Sequence, residues 1–203
     1  PAYFAALTLV ALMTAVYEWA KLAGLQAASS LGAAGGALLL GGALLLTTGF
    51  SAARGFPEAP VLALCGAASA FWIVVAPLWL FRGWPTRHPA GMTALGVIAV
   101  LALWMAMVQL QARSPWLLLA VMMVVWIADT AAYFAGRKFG RRKLAPTISP
   151  GKSWEGVYGG LLGVFAYAVL LLLLSPLAAH ATLSRPLVAA FALILAIVSV
   201  VGD

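Results

Sequence analysis

The chain has 203 residues, 65% hydrophobic and 8% charged, with a mean hydropathy of +1.06, too little polar surface to cover a water-soluble globule of that length. Its formal charge of +7 sits in short segments between apolar runs, which argues against nucleic acid and for anionic lipid headgroups or phosphorylated substrates. The single cysteine, Cys65, lies inside an apolar run, which excludes a disulfide framework or a thiolate metal site and leaves it as a small core residue.

A bilayer span needs roughly 20 mostly apolar residues. The sequence predicts about seven, at residues 2–23, 31–50, 60–81, 90–111, 115–135, 156–178 and 187–203. Long continuous runs exclude a membrane β-barrel, and a helix satisfies its own backbone groups in lipid, so the expected class is all-α and polytopic. The whole chain, 1–203, reads as one integral membrane domain with a basic cytosolic loop at 136–155. Pro1 opens straight into an apolar run and the last run stops on Gly202 and Asp203, which predicts a longer parent chain. The small residues Gly32, Gly35, Gly36, Gly41 and Gly42 predict close helix approach, and a homodimer is one use of such a face.

Threading these spans places Lys21, Arg82, Arg87, Arg137, Lys138, Arg141, Arg142, Lys143 and Lys152 on one side, and Arg54, Arg113 and Arg185 on the other. The excess marks the first side as cytosolic. Glu18, Asp129, Glu155 and Asp203 fall towards that side too, whereas Glu58 faces the other. His88 and His180 fall on opposite sides and form no common metal site, and the tryptophans gather mostly near span ends, as interfacial anchors do.

The stretch from Trp126 to Gly156 carries most of the chemistry. Trp126, Asp129 and Tyr133 share one helix face, and an ionised carboxylate in an apolar helix costs several kcal/mol unless paired or hydrated. Asp129 is therefore either a cation- or substrate-facing carboxylate or a polar contact between helices. Ser149, Pro150, Gly151 and Lys152 have the chemistry of a helix start, with Ser149 as cap and Pro150 in the first turn. Lys152 stands where a capping box would use Glu or Gln, so this terminus is expected to stay electropositive and suit a phosphate. Gly151 would let backbone approach a ligand, Lys152 adds a point charge, and Glu155 would fix that lysine or help hold a metal. Arg137, Lys138, Arg141 and Arg142 read as positive-inside anchors, while Lys143 is near enough to the Ser149 turn to share its anion.

These residues together resemble the phosphatidate cytidylyltransferase family, the CDP-diacylglycerol synthases. Glu18 and Trp19 with Leu22, Ala23 and Gly24 look like an early family element, the stretch from Asp129 to Gly160 follows the family pattern, and Val201, Gly202 and Asp203 resemble the start of its last conserved region. The remainder of that region, the family's signature, is expected to follow Asp203 in the parent chain.

The resemblance implies transfer of a cytidylyl group from CTP to phosphatidate, with magnesium as cofactor. It implies Asp203 as metal-associated carboxylate, Ser149 and Lys152 as phosphate-binding catalytic residues, and Asp129, Tyr133, Lys143, Gly151 and Glu155 as substrate-binding or supporting groups. Short loops and the absence of targeting extensions lean towards a bacterial inner membrane, with the active face cytosolic. A CTP-dependent lipid-alcohol kinase would release CDP rather than pyrophosphate. A membrane transporter would also use a buried Asp129 and glycine-rich helices, but not a basic helix-start motif.

Overall fold

The computed structural model describes residues 2–83, 88–146, 149–174 and 194. The seventh expected span at 187–203 lies outside them except for Ile194, and Arg87, His180, Arg185 and Asp203 lie outside them too. Among the described residues six helices are long and apolar enough to cross a membrane. In chain order the elements are α1 (Ala2–Leu22), α2 (Ala27–Thr47), α3 (Glu58–Ala70), a π-helical turn (Phe71–Val75), α4 (Ala76–Arg82), α5 (Pro89–Arg113), α6 (Pro115–Phe139), β1 (Lys143–Ala145), β2 (Ser149–Ser153) and α7 (Trp154–Leu174). At about 1.5 Å per residue, the 21 residues of α1 just exceed the roughly 30 Å of bilayer hydrocarbon. The third span runs through the π turn, where the Ala76 N–H reaches back to the Phe71 carbonyl. Backbone contacts divide the chain into two compact units, Pro1–Leu118 and Leu119–Asp203.

In the first unit, α1 buries Ala5, Leu9, Met13, Val16 and Ala20, a stripe at spacings of three and four residues. The stripe packs on α2 and α5. Trp104 of α5 is fully buried rather than an interfacial anchor; its indole N–H donates to the Ala5 carbonyl at 2.9 Å, which lets a polar ring sit in an apolar core. Phe56 meets the Trp104 ring edge-on at 5.4 Å, and its N–H donates to Gln109 Oε1 at 2.9 Å. Cys65 is half-buried with its thiol 3.6 Å from the Ala102 carbonyl, in keeping with a packing role.

Helix α1 ends in a turn that needs glycine: Gly24 has φ +97°, and Gly24 and Leu25 return hydrogen bonds to the Lys21 and Ala20 carbonyls. One turn earlier, Trp19 Nε1 donates to the Met92 carbonyl at 2.7 Å and its ring fills the space that a Cβ on Gly96 would occupy. The early element with Glu18 and Trp19 thus joins the end of α1 to the start of α5. Arg113 and Glu58, assigned to one side by the threading, come within 3.9 Å of each other.

In the second unit the close approach belongs to α6 and α7. A Cβ on Gly156 or Gly160 would lie 3.0 Å from the Ala132 or Ala128 carbonyl oxygen, one on Gly163 2.8 Å from the Ala131 methyl, and one on Gly159 would strike the Ala135 methyl. Small residues on both helices let their backbones touch, and Val124, Ala128, Val164 and Ala168 fill the seam beyond them. Of the α2 glycines expected to allow close approach, Gly41 does so against Leu9, whereas Gly32, Gly35, Gly36 and Gly42 meet nothing within 4 Å among the described residues.

Candidate active site

The site is built where α6 ends, β1 and β2 pair, and α7 begins. Helix α6 runs to Phe139, beyond the expected end of its span, so Arg137 and Lys138 belong to its last turn. This puts Arg137 one turn after Tyr133 on the same face. Arg137 Nη1 donates to the Tyr133 hydroxyl at 3.0 Å, and the guanidinium lies 6.0 Å from the ring centroid. The helix closes at Gly140, whose N–H donates to the Gly136 carbonyl at 2.9 Å.

The segment expected to start a helix at Ser149 is instead strand β2, paired antiparallel with β1, with Lys143 opposite Ser153 and Ala145 opposite Ser149. The helix begins at Trp154, and its cap is Ser153: the buried Ser153 Oγ accepts the Gly156 N–H at 3.2 Å. The Trp154 N–H donates to the Arg142 carbonyl at 2.9 Å. With Ser153 and Arg142 serving the first amides and Glu155 in the first turn, the electropositive terminus predicted at Ser149 is replaced by a capped one. The local sequence offers two serines able to cap. Pairing with Lys143–Ala145, a contact made across the turn, extends the first of them and leaves the second to cap.

A cavity of about 290 Å³ opens between the last turns of α6 and β2. Tyr133, Arg137 and Lys152 line it with side chains, and Ala132, Gly136, Gly151, Ser153 and Gly156 complete its wall. Among the described residues no carboxylate lines it. A Cβ on Gly151 would meet nothing within 4 Å, so backbone there is open to a ligand. Two cationic side chains, a phenol and small residues suit an anion with several oxygens, for which Arg offers a planar fork and Lys a point charge.

Of the residues picked out by sequence, Tyr133, Gly151 and Lys152 come together here. Ser149 is half-buried in β2, and Lys143 is exposed on β1; neither lines the cavity. Asp129 is exposed on α6, one turn before Tyr133. The Glu155 carboxylate faces the α6–β1 turn, where Oε2 accepts the Arg141 and Arg142 N–H groups at 3.1 and 3.2 Å and Oε1 accepts the Arg142 N–H at 3.3 Å. Arg137 was grouped with the anchoring cations by sequence; the four-residue spacing from Tyr133 was the signal that set it apart. Among the described residues no three His, Cys, Asp or Glu side chains cluster as a metal site, and Asp203 lies outside them.

The family model described as the cytidylyltransferase family matches residues 1–203. The chain is similar to the phosphatidate cytidylyltransferase of Pseudomonas aeruginosa, with 54% identity over 69 residues, 33% of this chain and 26% of the relative. That of Haemophilus influenzae is 64% identical over 52 residues, 26% of this chain and 18% of the relative. That of Brucella suis is 38% identical over 125 residues, 60% of this chain and 42% of the relative. The chain therefore spans less than half the length of these relatives.

Proposed function

The chain belongs to the cytidylyltransferase family, and from that membership we propose that it forms part of an integral membrane enzyme that makes CDP-diacylglycerol from CTP and phosphatidate. In the proposed reaction a phosphatidate oxygen attacks the α-phosphorus of CTP, the bond to the β-phosphate oxygen breaks, and pyrophosphate leaves. Such chemistry relies on positioning and charge neutralisation more than on a protein nucleophile.

The observation that carries the proposal is the cavity that brings Arg137 and Lys152 together over glycine backbone. Arg137, steadied by the Tyr133 hydroxyl, would orient phosphate oxygens through its fork, and Lys152 would offset their charge from β2. Small residues at Gly136, Gly151 and Gly156 would leave room for the phosphate to come close to backbone. Magnesium is proposed as cofactor with Asp203 as its carboxylate. The described residues supply no cluster of three ligands for it. The relatives are bacterial, which supports a bacterial inner membrane with the basic segment on the cytosolic side.

The test is pyrophosphate release by the purified full-length protein in detergent, with phosphatidate and CTP, with and without magnesium, beside Lys152→Ala, Arg137→Ala and Asp203→Asn. Release that needs both substrates and collapses in the variants supports the proposal. CDP formed from a lipid alcohol in place of pyrophosphate would replace it with a kinase, and no nucleotide turnover by the folded protein would replace it with transport.

A further inference from the structure

We infer that Glu155 is a positioning residue that fixes the spacing of the anion cavity, rather than a ligand of the metal or of the substrate. The inference rests on the proposal that the cavity takes a substrate phosphate.

Glu155 belongs to the first turn of α7, yet its carboxylate is spent on the chain that leaves α6. Its two oxygens accept the Arg141 and Arg142 N–H groups in three contacts of 3.1 to 3.3 Å. The bond returns in the other direction through the Trp154 N–H and the Arg142 carbonyl at 2.9 Å. Residues 141–142 and 154–155 are thus tied donor to acceptor both ways. A second tie lies alongside: Cβ atoms on Gly136, Gly140 and Gly156 would fall 3.2, 2.8 and 3.4 Å from the Ser153 hydroxyl oxygen, so that hydroxyl sits enclosed between the end of α6 and the start of α7.

The strand that carries Gly151 and Lys152 leaves and re-enters through these ties, and Arg137 stands across the cavity on α6. The distance between the two cations is therefore set by the clamp. The Arg141 and Arg142 N–H groups turn both carboxylate oxygens towards the α6–β1 turn and away from the cavity. Glu155 is also absent from the cavity wall.

Two roles for Glu155 predict opposite signs. If its charge mattered as such, removing it beside an anion site would strengthen anion binding; if it holds Arg137 and Lys152 in register, removing it weakens binding. The experiment uses the full-length protein in detergent, in magnesium-free buffer, with inorganic pyrophosphate as probe measured by calorimetry, beside Glu155→Ala, Glu155→Gln and the control Lys152→Ala. Amide hydrogen exchange at residues 140–142 is followed in parallel.

A clamp predicts that Glu155→Ala weakens pyrophosphate binding about tenfold and speeds exchange at Arg141 and Arg142 by about tenfold or more, the scale of hydrogen bonds to a charged acceptor. Glu155→Gln, which keeps an acceptor oxygen, is expected to stay within about threefold of the parent in both. Adding magnesium then gives the same activation midpoint in the parent and in Glu155→Gln. Binding in Glu155→Ala equal to or tighter than the parent, unchanged exchange there, or a shifted magnesium midpoint in Glu155→Gln would each overturn the inference. If the parent neither binds nor releases pyrophosphate, the phosphate-site proposal fails on its own, and the exchange measurement still decides whether Glu155 ties the turn to α7.

Discussion

Arg137 and Tyr133 are one helical turn apart on α6, with guanidinium nitrogen and phenol oxygen 3.0 Å apart and the cation 6.0 Å from the ring centroid. The pair converts a flexible, exposed arginine into one with a preferred direction along the cavity wall. The tyrosine contributes by two routes, a hydrogen bond and a ring face, and they can be separated. Tyr133→Phe keeps the face and loses the bond, so kcat/KM for pyrophosphate release should fall about three- to tenfold, the scale of one modest hydrogen bond. Arg137→Ala removes a charge stabilising phosphate and should cost about 10²- to 10³-fold in rate. Steady-state kinetics on the full-length protein checks both, and an unchanged rate in Tyr133→Phe beside a large loss in Arg137→Ala would mean that the pair is not the reason the arginine matters.

Ser153, not Ser149, caps α7, and stability distinguishes them. Ser153→Ala leaves the Gly156 N–H without its acceptor in a buried setting and should lower stability by about 1 kcal/mol, within the usual cap range of 0.5–2. Ser149→Ala, in half-buried strand, should stay within about 0.5 kcal/mol of the parent. Thermal unfolding in detergent, with amide exchange across the first turn of α7, provides the comparison. A larger loss at Ser149 would restore the helix start that the sequence suggests.

That helix start shows where local sequence stops being informative. The spans were legible because hydropathy and length are set by the bilayer, and the described helices start and end within a few residues of the expected positions. Ser149 and Pro150 suit the cap and first-turn positions of a helix start, but a strand partner at Lys143–Ala145 outweighs them, and no local rule contains that partner. Arg137 was hidden differently: among Arg137, Lys138, Arg141, Arg142 and Lys143 nothing in composition marks one as special. Extending α6 to Phe139 gives Arg137 a helical phase, and that phase places it on Tyr133. Lys152 and Gly151 were found by residue chemistry and keep their place at the cavity even though the element beneath them changed from helix to strand.

Trp104 tests the first unit in the same terms. Its ring is fully buried, braced by Phe56, and its N–H is satisfied by the Ala5 carbonyl. Trp104→Ala should destabilise by about 3–5 kcal/mol, as removal of large buried aromatics does. An interfacial anchor would lose far less. Unfolding midpoints in detergent separate the two outcomes, and a small loss would return Trp104 to the membrane surface.

Glycines in α2 and α7 should respond in opposite directions to the same change. Gly159 has no room, since a Cβ would strike the Ala135 methyl, and Gly160 has a carbonyl oxygen of Ala128 at 3.0 Å from where its Cβ would be. Gly159→Ala should therefore force α6 and α7 apart at a cost of about 1–3 kcal/mol, as overpacking does. Because these helices carry Tyr133, Arg137 and the Ser153 cap together at the end where the cavity opens, activity should fall with stability. Among the described residues Gly32 and Gly36 meet nothing within 4 Å, and alanine there replaces a residue that is poor in helix interiors. Gly36→Ala should raise stability by about 0.5–1 kcal/mol and leave pyrophosphate release unchanged. Parallel thermal melts and rate measurements on the two variants decide the point: equal losses at Gly36 and Gly159 would mean that α2 meets a neighbour on its glycine face, for which a second copy of the chain is the first candidate to test by cross-linking.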